Sequence, residues 1–316
     1  MPAPAPSTDA GTARTLYADG LAVHAVEWRS ARGHPDRRVL LLHGLGANTL
    51  SWEPIARPLA DRLDAVVTAV DLAGFGRTRA PAGRALLGRQ RQLVTRLLDR
   101  LGPSLLVGNS MGGSIGIGVT ADRPDRVHGL VLINPAVPHP RPGMSDWLRM
   151  AWLAPLAVPA LGAGVVALRA RALGPEKLVD LSIQASLRRA DALDEDLRRR
   201  MIELTAERLR WIEAAPAYAA AARSLVAYLA FGLHRDLAAA AAGRPALLLH
   251  GAHDELVPLV AARHAAAAHD LDFEVLADLG HAPQLENPDR VIDVVASWVD
   301  AHGPPGWPAP PSGSPR

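Results

Sequence analysis

The chain has 316 residues, 49% hydrophobic and 21% charged, a balance that builds a globular core and excludes a disordered protein. The formal charge is only +2, Lys177 is the single lysine, and no basic stripe is present, so nucleic acid is excluded as a partner. The absence of cysteine excludes disulfides, thiolate metal sites and a cysteine nucleophile.

In chain order, MPAPAPSTDAGTAR (1–14) lacks the apolar run of a secretory signal. It is expected to be a disordered leader, with a cytoplasmic location. Residues 21–28 alternate like a strand. Residues 38–44, 65–74, 104–110, 128–136, 245–251 and 273–281 are short apolar runs ending in Gly, Asn or Asp. Such runs suit strands covered on both faces of a mostly parallel sheet. Helical patterns at 88–102 and 289–303 fall between or after them, which predicts a doubly wound α/β fold.

The alternation stops between about 138 and 236, where only helical patterns occur. Leu193, Leu197, Met201 and Leu204 share one face there, with Asp194 as N-cap. The reading is an inserted helical cap over 138–236, dividing the core into 15–137 and 237–302. Residues 150–168 carry no charge and are long enough to span a membrane. Pro155, Pro159, Gly162 and Gly164 weaken a helix there and arginines flank it, so a buried or substrate-facing segment is expected. An integral span is not expected, with peripheral lipid contact as the lesser alternative. Residues 303–316 are rich in Pro, Gly and Ser and are expected to be a disordered tail, in which Trp307 is the one hint of docking.

Active sites in open parallel sheets gather beyond the carboxyl ends of the strands. Gly108-Asn109-Ser110-Met111-Gly112 stands at such an end, before a helix. Small neighbours let strand and helix approach closely while a strained central serine is displayed, although a glycine-rich turn of no chemical consequence has the same pattern. A displayed Ser110 needs a base, and His281 follows the last predicted strand. The base needs an acceptor, and Asp254 lies just past another strand end, with Glu255 and Asp278 as competitors. The Met111 and Leu45 backbone N–H groups are the candidate oxyanion donors. His250, His253 and Asp254 match no metal-site spacing, so no metal is expected.

Together these segments resemble the α/β-hydrolase fold from about residue 21 to 302. GNSMGG (108–113) resembles its nucleophile elbow, HGLG (43–46) its oxyanion loop, GAHDELVP (251–258) its acid turn and LGHAPQLENP (279–288) its histidine loop. DLAGFGRT (71–78) resembles a structural Asp-x-x-Gly-x-Gly segment of the same proteins. Haloalkane dehalogenases and epoxide hydrolases of this fold carry aspartate where Ser110 stands, so both are disfavoured. Some members place the acid after the preceding strand, where this chain has Asn134-Pro135.

The resemblance implies a serine carboxylic-ester hydrolase acting on a hydrophobic or small acyl substrate without metal or organic cofactor. Trp52, Met144, Trp147, Met150 and Trp152 would supply an apolar pocket, or simply core packing. GNSMGG also resembles carbon–carbon bond hydrolases of aromatic ring-fission products. Those carry tryptophan after the catalytic histidine, where this chain has Ala282-Pro283. A small-ligand receptor on the same fold is the non-enzymatic alternative.

Overall fold

The apolar runs pair as the alternation predicts, and a computed structural model describes them over residues 11–31, 36–140 and 158–308. Among the described residues the strands are β1 (Thr12–Ala18), β2 (Leu21–Arg29), β3 (Arg38–Leu42), β4 (Val66–Val70), β5 (Ser104–Asn109), β6 (Val127–Ile133), β7 (Ala246–Gly251) and β8 (Asp272–Leu276). They form one sheet in the order β1-β2-β4-β3-β5-β6-β7-β8. β2 runs antiparallel to both its neighbours, and every other pairing is parallel. From β3 the chain passes first to β4 on one side and then to β5 on the other. The carboxyl ends of β3 and β5 therefore flank the switch point, where ligands bind in open sheets.

Side chains alternate strictly across the sheet. Val39, Leu41, Leu105 and Val107 face α1 (Glu53–Leu63) and α10 (Pro288–His302), whose Leu59 and Val295 complete that core. Leu40, Leu42 and Leu106 face α2 (Leu87–Leu101), α3 (Met111–Asp122) and α8 (Leu259–His269).

Between β6 and β7 the described residues contain helices only: α4 (Pro159–Ser186), α5 (Glu195–Arg208), α6 (Ala214–Phe231) and α7 (Leu233–Gly243). Asp194 caps α5 as expected, its carboxylate accepting the Leu197 N–H at 2.9 Å. α4 is kinked at Gly174 (φ 73°), which is followed by Pro175. Polar contacts tie these helices to the body. Arg208 donates to the carbonyls of Gly76 (3.0 Å) and Gly74 (2.8 Å), and Arg200 pairs with Glu53 at 2.7 Å. No single described helix is long and apolar enough to cross a membrane.

Three sequence boundaries are corrected. Thr12, Ala13 and Arg14, assigned to the leader, belong to β1, where ladder hydrogen bonds to β2 hold a mostly exposed edge strand. The expected cap end at 236 cuts through α7, a single helix whose Leu233, Leu237 and Ala240 pack in one core with α3. The first residues of the expected tail are anchored. Arg37 Nε donates to the Pro308 carbonyl (2.8 Å), His128 Nδ1 lies 2.9 Å from the Pro305 carbonyl, and Trp307 packs edge-on against His128 and beneath Arg37.

Candidate active site

β5 ends at Asn109 and α3 begins at Met111, so one residue makes the whole turn. That residue, Ser110, has φ 53° and ψ −118°, a left-handed conformation unfavourable for a side chain. The turn closes only because its neighbours lack Cβ atoms. A Cβ on Gly112 would lie 2.0 Å from the Leu42 carbonyl oxygen, and one on Gly108 would lie 2.5 Å from the Gly112 carbonyl carbon. Backbone bonds lock the geometry, with Ser110 N–H donating to Ile133 (3.1 Å) and Ser110 C=O accepting from Ala136 N–H (3.2 Å). Serine is a favoured helix N-cap, yet the Ser110 hydroxyl makes no capping bond to α3.

The second element is the turn after β3. Gly44 comes so close to Ser110 that a Cβ on it would meet the Ser110 Cβ at 3.2 Å. His43 is fully buried beneath this turn and orients it. Its Nε2 accepts the Leu72 N–H (3.0 Å), which leaves the proton on Nδ1 to donate to the Gly44 carbonyl (2.8 Å). Burial lowers the His43 pKa and keeps the ring neutral despite nearby Asp71. In a planar trans peptide, C=O and N–H point in opposite directions. Holding the Gly44 oxygen inward therefore turns the Leu45 N–H outward. The Met111 N–H, first in α3, has no intrahelical acceptor and lies at the positive end of the helix dipole.

The third element joins two loops. His281 Nδ1 and Asp254 Oδ2 are 2.7 Å apart, and both side chains are buried. Asn134 Nδ2 donates to the same carboxylate oxygen at 2.7 Å, while the Leu256 and Val257 N–H groups each donate to Oδ1 at 2.8 Å. Burial pushes the Asp254 carboxyl upward, but the bonds from His281, Asn134 and the backbone outweigh it and hold the group below its ordinary range. The competitors lie elsewhere: Glu255 is exposed, and Asp278 is 88% exposed and pairs with Arg188. His250 sits behind the acid turn against the Val257 carbonyl (2.9 Å), its pKa lowered by burial.

Ser110 and His281 are moored to each other through Asn109, whose Nδ2 donates to the His281 carbonyl (3.1 Å) and to Ile133 (3.0 Å). Among the described residues no hydrogen bond joins the Ser110 hydroxyl to His281. The histidine loop is held in turn by Glu286, which is buried after α9 (Pro283–Glu286) begins and accepts from the N–H groups of Gly280 (2.8 Å), Arg189 (2.9 Å) and Arg188 (3.3 Å).

Of the pocket residues expected from sequence, Trp52 is fully buried in the core between the sheet and α1. An aromatic next to a glycine-rich turn reads alike whether it faces substrate or core, and here the core takes it. Met144, Trp147, Met150 and Trp152 lie outside the described residues. The apolar side chains near Ser110 come from other positions. Leu45 packs on Ala219 and Ala222 of α6, against which Ala163 and Val166 of α4 also pack, while Leu50 and Ala282 share a cluster with Val179 and Ile183 of α4. His43, Asn134 and Glu286 carry supporting roles that the sequence reading did not assign. The position of His43 directly before a glycine-rich turn is the one signal that pointed to such a role.

The profile of the alpha/beta hydrolase family matches residues 39–294, and the chain belongs to that family. Three curated relatives match part of it. The chain is 33% identical to the dihydrolipoyllysine-residue acetyltransferase component of the acetoin cleaving system of Cupriavidus necator, over 41% of this chain and 35% of that protein. It is 36% identical to lipase LipV of Mycobacterium tuberculosis over 32% of this chain and 38% of that one. It is 30% identical to monoglyceride lipase of Rattus norvegicus over 39% of this chain and 42% of that one. The matches thus span about two-fifths or less of each relative. Among solved structures, a membrane phospholipase A, a bacterial virulence factor, superposes with TM-score 0.71 at 24% identity, covering 92% of this chain and 86% of that one. A thermophilic esterase from Thermogutta terrifontis gives 0.65 at 22% identity, covering 92% and 99%. At these identities the superpositions establish the fold.

Proposed function

We propose that this hydrolase cleaves carboxylic esters of hydrophobic or small acyl groups by a Ser110–His281–Asp254 mechanism. The observation that carries the proposal is the left-handed Ser110, its hydroxyl unused in capping and the Gly44 turn against its Cβ. The lipase names among the relatives support an ester, and the alanine side chains of α6 on which Leu45 packs suit an apolar acyl group. Ser110 Oγ attacks the ester carbonyl carbon as His281 takes its proton, and Asp254 orients the imidazole and stabilises its cation. The oxyanion accepts from the Leu45 and Met111 N–H groups. Collapse expels the alcohol, protonated by His281, and leaves an acyl-serine. Water, deprotonated by His281, then releases the acid and restores Ser110.

The test is hydrolysis of p-nitrophenyl esters from acetate to a long acyl chain, with Ser110→Ala alongside. Turnover reduced by about a thousandfold or more in the variant supports the reading, because nucleophile loss costs many orders of magnitude. Turnover within about tenfold of the unaltered protein removes Ser110 as nucleophile, and no turnover of any ester by the unaltered protein removes the esterase reading.

A further inference from the structure

The first half of α4 is apolar on both sides. Its inner side chains, Ala163 and Val166, pack against Ala219 and Ala222 of α6, the same alanines that Leu45 of the turn beside Ser110 packs against. On its outer side Val158, Leu161, Val165 and Leu168 are 53%, 55%, 39% and 70% exposed. Their spacing of three, four and three residues places them in one stripe along the helix. Single exposed apolar residues are ordinary on a soluble surface, whereas a contiguous row of large ones marks a contact surface. A helix apolar all round is normally buried all round, and this one is not.

Charge identifies the occupant. No acidic residue occurs from 158 to 175, and the stripe ends at Arg169 and Arg171, both exposed. Neither forms an ion pair among the described residues. An apolar ridge bordered by unpaired guanidinium groups fits the boundary between anionic headgroups and acyl chains: leucine and valine enter the apolar zone while arginine reaches phosphate. The opposite face of the same helix packs on α6, whose Tyr218 ring lies 3.1 Å from where a Cβ on Gly46 would stand.

We propose that the outer face of α4 docks on an anionic lipid surface. The inference goes beyond the esterase reading, and its test measures binding without turnover. The full chain is mixed with vesicles of phosphatidylcholine alone, or of phosphatidylcholine with phosphatidylglycerol, and sedimented. The unaltered protein is expected to sediment with the anionic vesicles. Leu161→Ser/Val165→Ser/Leu168→Ser, all on the outer face, is expected to lower partitioning about tenfold or more with an unchanged melting curve. Arg169→Glu/Arg171→Glu is expected to lower it on anionic vesicles only. Should the triple variant unfold, Leu168→Asp alone, at the most exposed position of the stripe, gives the same reading. Failure of the unaltered protein to sediment, or equal partitioning by the triple variant, overturns the proposal. So does a dimer of the unaltered protein that the triple variant converts to monomer, since a second copy would then cover the stripe.

Discussion

The strand ends around Ser110 and the helices above them are built from different interactions. At the strand ends, Asp254 receives four donors, His43 uses both ring nitrogens and Ser110 is locked by backbone bonds on both sides. The helices of the insertion rest on apolar packing, a leucine-rich cluster around Leu197 and Leu204 and a small alanine cluster at Ala219 and Ala222, with scattered arginine contacts such as Arg208 and Arg200, and leave one apolar face exposed. Over-determined polar geometry resists displacement of a reacting atom by even an ångström. A floor that must not move and a roof free to vary is what one sheet carrying many specificities requires.

Substitutions in the floor should therefore cost far more than those in the roof. Asp254→Asn keeps the shape but removes the acceptor for the His281 Nδ1 proton, and ester turnover is expected to fall about ten-thousandfold. Stopped assays at high enzyme concentration measure the residue of activity, and a loss below about tenfold would detach Asp254 from the mechanism. Gly112→Ala drives a methyl into the Leu42 carbonyl and is expected to cost about 3 kcal/mol or more, read by urea unfolding.

Asn134→Ala removes one charged hydrogen bond, so turnover is expected to fall about ten- to a hundredfold. Its pH dependence has a definite sign. Because the folded Asp254 carboxyl titrates below its unfolded value of about 3.9, the stability it contributes is complete above that pH and is lost as pH falls through the folded value. The stability advantage of the unaltered protein over Asn134→Ala should be full at neutral pH and shrink below about pH 4, as thermal unfolding against pH would reveal.

In the roof, Arg208→Met leaves the Gly74 and Gly76 carbonyls without their guanidinium donor. It is expected to cost about 1–3 kcal/mol of stability while short-ester kcat stays within about threefold. Arg200→Ala breaks a partly exposed pair with Glu53, for which about 0.5 kcal/mol or less is expected by the same unfolding measurement. An Arg200 effect as large as that of Asn134 would erase the distinction between the two regions.

How far the sequence reaches follows the same division. Strand ends are legible because a run covered on both faces must be apolar throughout and must stop at a turn residue, as β5 does before Ser110 and β7 before the loop of Asp254. Position at a strand end also favours Asp254 over its neighbours, and its carboxylate lies 2.7 Å from His281 Nδ1. The supporting residues were less legible, since His43 and Asn134 act through which atom carries or accepts a proton, and spacing does not encode that. β1 escaped because an edge strand with one ladder partner and mostly exposed side chains has no apolar alternation. Trp307 lies among prolines and glycines, yet a single indole between Arg37 and His128 is enough to anchor residues whose composition reads as tail.

The kink in α4 has a practical consequence for labelling chemistry. Lys177, exposed and three residues past Gly174, is the only lysine, and the chain has no cysteine. At mildly alkaline pH an amine-directed fluorophore therefore meets one side-chain target, and it lies on the far limb of the bent helix. A cysteine introduced on the near limb would accept the second dye without competition from any native thiol. The distance between the limbs would then be readable by energy transfer in an otherwise unaltered chain, with and without vesicles.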